Sequence, residues 1–209
     1  KAYAAPAAAS GLTLLLATYA FAWQIYFDFS GYTDLARGVA KMLGYDLSLN
    51  FNNPYLADGL GDFWRRWHIS LSSWIRDYLY YPLAGRSIAA GVRSYLALIA
   101  AMLLAGLWHG AAWTFVIWGA LHALGRAAGR ELEISDFYRH RLPRPVKQFF
   151  VFHWVCLTWV FFRAATFSDA TLILRRILGL GGGDPRFPVL AAGLIGLVLV
   201  YQLVFRSKY

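Results

Sequence analysis

Hydrophobic positions along the chain gather into four uncharged runs, with a long polar and aromatic insert between the first and second. Residues 2–27, 95–125, 149–162 and 187–205 contain no Asp, Glu, Lys or Arg. About 20 apolar residues make one helix across a hydrocarbon core about 30 Å thick, so these runs predict membrane helices. The first is expected to become helical after Pro6. The second is anomalous, since as one helix it would extend about 46 Å at 1.5 Å per residue, too long for one upright span and too short for two. A break near Gly106, His109 and Gly110 resolves this by giving two short or tilted segments that meet inside the protein. The third run is bracketed by Lys147 and Arg163, whose long stems can snorkel to the interfaces, and the fourth ends at Arg206 and Lys208.

The insert carries a different pattern. Leu60, Phe63, Trp64, Trp67, Leu71, Trp74, Ile75, Tyr78 and Leu79 recur at spacings of three and four, which predicts one helix over 60–79. Asp62, Arg65, Arg66, Ser72, Ser73, Arg76 and Asp77 fill the opposite arc, and only Ile69 breaks the pattern. An aromatic stripe with arginines opposite suits a helix lying in the membrane interface. Pro82 and Gly85 are expected to end it. The predicted fold class is therefore all-α: a polytopic transmembrane helical protein with interfacial amphipathic and re-entrant helices.

Composition agrees with this reading. Of 209 residues, 59% are apolar, 18% aromatic and only 15% charged, against about 25% charged in soluble domains. The net charge of +9 would raise nucleic-acid binding in a soluble protein, but no basic-aromatic module of that kind is present. In a membrane protein the excess belongs in cytoplasmic connections. Arg126, Arg130, Arg139, Arg141, Arg144 and Lys147 mark one such connection, although Arg163, Arg175, Arg176 and Arg186 make the bias imperfect. The lone Cys156 excludes an internal disulfide and is expected to pack as a small hydrophobe. The chain opens on Lys1 rather than Met, as expected of a processed or truncated piece of something longer.

Five histidines are the main candidates for chemistry. His109, within Leu107-Trp108-His109-Gly110, lies near the middle of the longest uncharged run, where a polar titratable group is costly and marks a functional site. It is read either as a general base in its neutral form or as an imidazole hydrogen-bonded to a neighbouring helix. Gly106 and Gly110 would let backbone or substrate approach closely. His68 lies at the edge of the aromatic stripe and either serves the site or caps a packing surface. His122 stands about 20 Å from His109 along a continuous helix, so the two share a site only if the helix breaks. His140 is expected to be solvated and His153 packed among aromatics. Asp28, Asp34 and Arg37 either line a polar cavity or pair with each other. Phosphate-binding glycine loops, nucleophile elbows and zinc spacings are absent, and no metal site is expected.

Several segments together resemble a known family. They are Phe27-Asp28-Phe29-Ser30-Gly31-Tyr32-Thr33-Asp34, Asn52-Asn53-Pro54-Tyr55, Phe63-Trp64-Arg65-Arg66-Trp67-His68-Ile69-Ser70-Leu71-Ser72, Arg76-Asp77-Tyr78-Leu79-Tyr80 and Gly106-Leu107-Trp108-His109-Gly110. In this order, over about residues 20–125, they resemble the membrane-bound O-acyltransferase family, within it the bacterial alginate O-acetyltransferase branch. The related branch serving D-alanylation of teichoic acids shares the Trp-His motifs, but the run Tyr80-Tyr81-Pro82-Leu83-Ala84-Gly85 is more like the polysaccharide acetylation branch.

The resemblance implies that residues 1–209 form a single integral-membrane acyltransferase region, the C-terminal part of a longer chain, in the bacterial inner membrane. It implies His109 as the principal catalytic histidine and His68 as the second. Trp64, Arg65, Arg66, Trp67, Arg76, Asp77 and Trp108 are expected to shape the substrate site, with the arginines meeting donor phosphates. No cofactor is expected to stay bound. Acetyl-CoA or another acyl thioester is the implied cytoplasmic donor, and a periplasmic or extracellular acetyl-transfer protein or a polysaccharide is the implied acceptor, with lipid as the surroundings. The rival from another class is a transporter or export subunit with His109 and Asp28 as pathway residues. No internal repeat supports it.

Overall fold

The computed structural model describes residues 2–85, 91–179 and 189–204, which are mostly helical with no strand among them. The long helices are α1 (Gly11–Met42), α5 (Val92–His109), α6 (Trp113–Ile134), α7 (Arg144–Arg163) and α9 (Val189–Val204). Shorter ones are α2 (Leu60–Arg66), α3 (Ile69–Ile75), α4 (Tyr81–Ala84) and α8 (Phe167–Gly179). Of these, α1, α5 and α7 are long and apolar enough to cross a membrane. The ends of the fourth run, with Arg186, Arg206 and Lys208, lie outside the described residues; α9 supplies the rest of that run as 16 residues.

Two compact units result. One comprises the chain up to Tyr32 together with the part from Cys156 onward, and the other is Thr33–Val155. In the first, Leu14, Ala22 and Trp23 of α1, Cys156, Trp159 and Val160 of α7, and Ala170 and Ile173 of α8 are buried. Cys156 packs there as the small hydrophobe expected. Thr18 receives a hydrogen bond partner in the Tyr3 hydroxyl at 2.8 Å, and Arg176 donates to the Ala9 carbonyl at 2.8 Å.

α1 starts at Gly11 and runs well past the first uncharged run, so Asp34 and Arg37 are helical. They pair at 3.2 Å on an exposed face, one turn apart, and Asp28 is also exposed. Of the two readings for these residues, pairing holds for Asp34 and Arg37.

The second unit contains the unusual local structure. The long uncharged run breaks as its length demanded, at residues 110–112, and α5 and α6 fold back on each other as a hairpin. Gly106 lies within α5 rather than at the break. Its role is close approach: a Cβ there would stand 2.3 Å from the Phe115 carbonyl oxygen, and one on Gly119 would stand 2.3 Å from that of Met102. Gly110 likewise leaves room for the Phe115 ring. All three glycines therefore serve backbone and side-chain packing.

The helix expected over 60–79 is interrupted at Trp67 and His68, where His68 takes a left-handed conformation at φ 43°. The cause lies upstream. Asn52 N–H donates to the Arg66 carbonyl and Ile69 N–H to the Asn50 carbonyl, each at 2.9 Å, so the 50–52 loop replaces helical hydrogen bonds on both sides of the break. Asn50 Oδ1 also accepts from Ser70 N–H at 3.1 Å and Ser70 Oγ at 2.9 Å. Ile69 breaks the periodic pattern because a new helix begins at it.

Pro82 does not end the element either. The chain from α3 widens into a π-turn over Arg76–Tyr80, with Tyr81 N–H donating to the Arg76 carbonyl five residues back, and continues through Pro82 into α4. A proline lacks the donor a regular turn would need, and the wider turn accommodates it. Gly85, at φ 81°, ends the helix.

Candidate active site

His109 is the last residue of α5, exposed at the tip of the α5–α6 hairpin. The hairpin turn brings the imidazole to a helix end that the protein itself does not cover. Its inner side packs edge-on against the buried Trp118, with ring centroids 5.3 Å apart at 83°. Trp108 meets it at 4.9 Å from the exposed side, and Phe115 at 6.3 Å.

The hairpin also brings in His122. Its ring, fully buried, lies 4.8 Å from Trp118, so one indole touches both imidazoles although they are 13 residues apart. His122 stacks on Phe63 at 6.2 Å and 13° and meets Trp64 at 4.9 Å. The condition set for His122 to join His109, a break in the helix, is met at residues 110–112.

His68, half-buried at the α2–α3 break, stacks on Phe51 at 6.4 Å and 11°. Burial holds its imidazole below the ordinary histidine range. A chain of ring contacts through Phe51, Trp67, Phe63, His122 and Trp118 connects His68 to His109.

A half-open cavity of about 640 Å³ adjoins this cluster, between α2–α4 and the α5–α6 pair. Leu98, Ala101, Met102 and Ala105 of α5 form an apolar wall, while Arg65, Arg76, Arg126 and Arg130 contribute four guanidinium groups. Trp64 lines it as well and packs against Trp118 at 6.0 Å, so a single ring separates cavity wall from hairpin core.

Arg126 and Arg130, read from the sequence as charges of a cytoplasmic connection, belong to α6 and face the cavity. Gly61 makes room for Arg126, since a Cβ there would stand 2.9 Å from the guanidinium. Arg126 Nη1 is buried without a hydrogen bond, Glu133 Oε2 standing off at 3.7 Å. Arg130 donates to Ser94 Oγ at 2.8 Å and lies 5.0 Å from the Tyr95 ring.

The remaining predicted site residues divide by their partners. Arg65 is mostly exposed, 3.6 Å from Asp62. Arg76 donates to Asp77 at 2.7 and 3.1 Å, and this guanidinium holds the Asp77 carboxyl below the usual carboxylate range. Arg66 is taken up by Asp62 at 2.9 Å and the Asn52 carbonyl at 3.4 Å and does not line the cavity. Trp67 is buried against Phe63 at 5.6 Å and Phe51 at 5.0 Å, in the core of this unit. Elsewhere His140 is exposed, as expected, and His153 packs on Phe149 at 4.0 Å while its Nδ1 lies 2.7 Å from the Phe149 carbonyl. Among the described residues no cluster of His, Cys, Asp and Glu could hold a metal ion.

Comparison with known sequences decides what this arrangement belongs to. The profile of MBOAT, the membrane-bound O-acyltransferase family, matches residues 2–162. The chain belongs to this family. It is 47% identical over 155 residues to the protein named "Probable alginate O-acetylase AlgI" of Azotobacter vinelandii, covering 74% of this chain and 30% of that one. It is 40% identical over 168 residues to a peptidoglycan O-acetyltransferase of Helicobacter pylori, covering 80% and 32%. A teichoic acid D-alanyltransferase of Bacillus subtilis is 35% identical over 120 residues, covering 53% and 29%. The chain thus spans about a third of the length of the MBOAT relatives it matches. His68, His109, His122 and the four cavity arginines all lie within the family-matched residues.

Proposed function

We propose that this chain carries the acyl-transfer centre of a bacterial inner-membrane O-acetyltransferase, which moves an acetyl group from a cytoplasmic thioester to a hydroxyl of a cell-surface polysaccharide or of a transfer protein serving it. The observation that carries the reading is His109, an accessible imidazole backed by a buried indole and inside the family-matched residues. The acetyl and polysaccharide assignments rest on similarity to the alginate and peptidoglycan O-acetylating proteins.

His109 acts as the general base. It takes the proton of the acceptor hydroxyl as that oxygen bonds to the thioester carbonyl carbon. The carbon–sulfur bond then breaks, and the departing thiolate takes the proton from the imidazolium, leaving an ester and a free thiol. Such proton transfer contributes about 10²- to 10⁴-fold in rate, with the remainder from positioning. The cavity fits the donor, because its apolar wall suits a flexible thioester arm and its arginines suit phosphates. Arg126 and Arg130 join Arg65 and Arg76 in that role, while Arg66, Trp67 and Asp77 act through the scaffold.

The test uses the purified full-length protein with labelled acetyl-CoA and its envelope acceptor fraction. His109→Ala should abolish acetyl transfer while leaving the amount of folded protein unchanged. Retained transfer would remove His109 from the chemistry.

A further inference from the structure

We propose that Trp118, clamped by His122, is the positioning residue that fixes the orientation of the His109 imidazole; the inference rests on the reading of His109 as general base. The need for such a residue follows from where His109 sits. It is the terminal residue of α5, followed by Gly110, with one side of its ring exposed. Proton transfer demands one ring geometry at this helix end, and an error of about 1 Å can cost about 100-fold.

Trp108, Phe115 and Trp118 all touch the His109 ring, and they are not equivalent. Trp108 is 65% exposed, so packing covers little of its ring. Phe115 is committed to the turn, lying against Gly110. Trp118 is 2% exposed and is held on further sides by His122 at 4.8 Å and Trp64 at 6.0 Å. His122 is itself immobilised between Phe63 and Trp64 of α2. The indole therefore has one orientation, and its edge presents a fixed wall to the imidazole.

This arrangement gives His122 a role that needs no contact with substrate. It occupies the space that keeps the indole from rotating away from His109. Trp64 adds a link to the cavity, since the same ring lines the donor space and abuts Trp118.

The experiment measures acetyl transfer by full-length protein per folded molecule, with kcat and KM for acetyl-CoA determined separately. Trp118→Leu should lower kcat at least about 30-fold with KM changed less than about threefold, because orientation and not binding is lost. Trp118→Phe, which keeps an aromatic edge, should restore most of that loss. His122→Leu should lower kcat about tenfold, and adding it to Trp118→Leu should cost nothing more, as expected of one device. A second readout needs no turnover: in protein labelled with ¹³C-histidine, the ring resonance that disappears in His109→Gln should move and broaden in Trp118→Leu and in His122→Leu, and should stay narrow in Trp118→Phe. Unchanged kcat in folded Trp118→Leu, additive losses in the double variant, or an unmoved His109 resonance would each overturn the proposal. If His109→Ala itself retained full activity, the failure would belong to the reading of His109 as base, and the resonance measurement would still judge the positioning.

Discussion

Gly106 and Gly119 are reciprocal: each lacks a side chain where the partner helix presents a backbone carbonyl, Phe115 O for Gly106 and Met102 O for Gly119, 2.3 Å from where a Cβ would stand. Neither obstacle is the end of a flexible side chain, so an added methyl must push α5 and α6 apart. Gly106→Ala or Gly119→Ala should destabilise the protein by about 1–3 kcal/mol, as overpacking does. The same separation would draw Trp118 off His109, so acetyl transfer should fall in the protein that remains folded. Gly31→Ala and Gly38→Ala, in α1 with open space around them, serve as controls and should not lower stability. Thermal unfolding in detergent measures both; equal melting temperatures for all four variants would contradict the packing argument.

Much of this architecture was legible in the sequence, and the misreadings have specific physical origins. The hairpin between α5 and α6 followed from length alone, because a charge-free run too long for one span and too short for two must break where glycines permit. The interruption at His68 was hidden because its cause is not local. The 50–52 loop supplies the hydrogen bonds that make a break tolerable, and the aromatic spacing continues across it with Ile69 as the single trace. Arg126 and Arg130 were counted as connection charges because nothing in their spacing says that Gly61 leaves space for a guanidinium on the opposite wall. His122 was placed near His109 only on condition of a helix break, and its role could not be read because the rings that link the two come from packing across the hairpin.

The strained conformation at His68 allows a test of the break. At φ 43° asparagine is tolerated better than other non-glycine residues, while a β-branched side chain is not. His68→Asn should fold with little loss, and His68→Val should lose about 1–2 kcal/mol. A pH effect accompanies this. Burial lowers the folded-state pKa of His68, so its neutral form is favoured by folding, and the associated stability is fully present above the unfolded value of about 6.5 and is lost as pH falls below it. His68→Asn should therefore unfold at a temperature less sensitive to acidification from pH 7.5 to 5.5 than the parent protein does. A steeper acid loss in the variant would reverse the sign and refute the assignment.

Asp58 ties the loop before α2 to the start of α7. Its carboxylate accepts Arg144 Nε at 2.9 Å and Gln148 Nε2 at 3.0 Å, its carbonyl accepts the Tyr138 hydroxyl at 2.6 Å, and Gln148 also donates to the Leu56 carbonyl at 2.9 Å. Arg144 is largely exposed, which reduces the worth of that pair. Asp58→Ala should cost about 1–2 kcal/mol, mostly through the half-buried Gln148 contact, and Asp58→Asn should recover part of it. Unfolding of the two variants at low and high salt separates the contributions. The Arg144 share should fade with salt, and a deficit that disappears entirely at high salt would show that the Gln148 contact adds nothing.

The arginine cavity makes a prediction about donor binding that is separate from the chemistry at His109. If the four guanidinium groups meet donor phosphates, their loss removes an interaction that is alike in ground and transition states, which raises KM and leaves kcat nearly unchanged. Arg126 should matter most, because it lines the cavity with Glu133 no nearer than 3.7 Å, whereas Arg76 is already engaged by Asp77 at 2.7 Å. A charge-assisted hydrogen bond is worth about 1.5–3 kcal/mol, so Arg126→Ala should raise the KM for acetyl-CoA at least about tenfold. Arg130→Ala should have a smaller effect, because Ser94 and Tyr95 hold that guanidinium at the wall. Acetyl-N-acetylcysteamine, which carries the thioester without phosphate, provides the comparison: its KM should be high in the parent protein and indifferent to either substitution. Equal effects on the two donors would mean that the arginines shape the cavity without reading a phosphate.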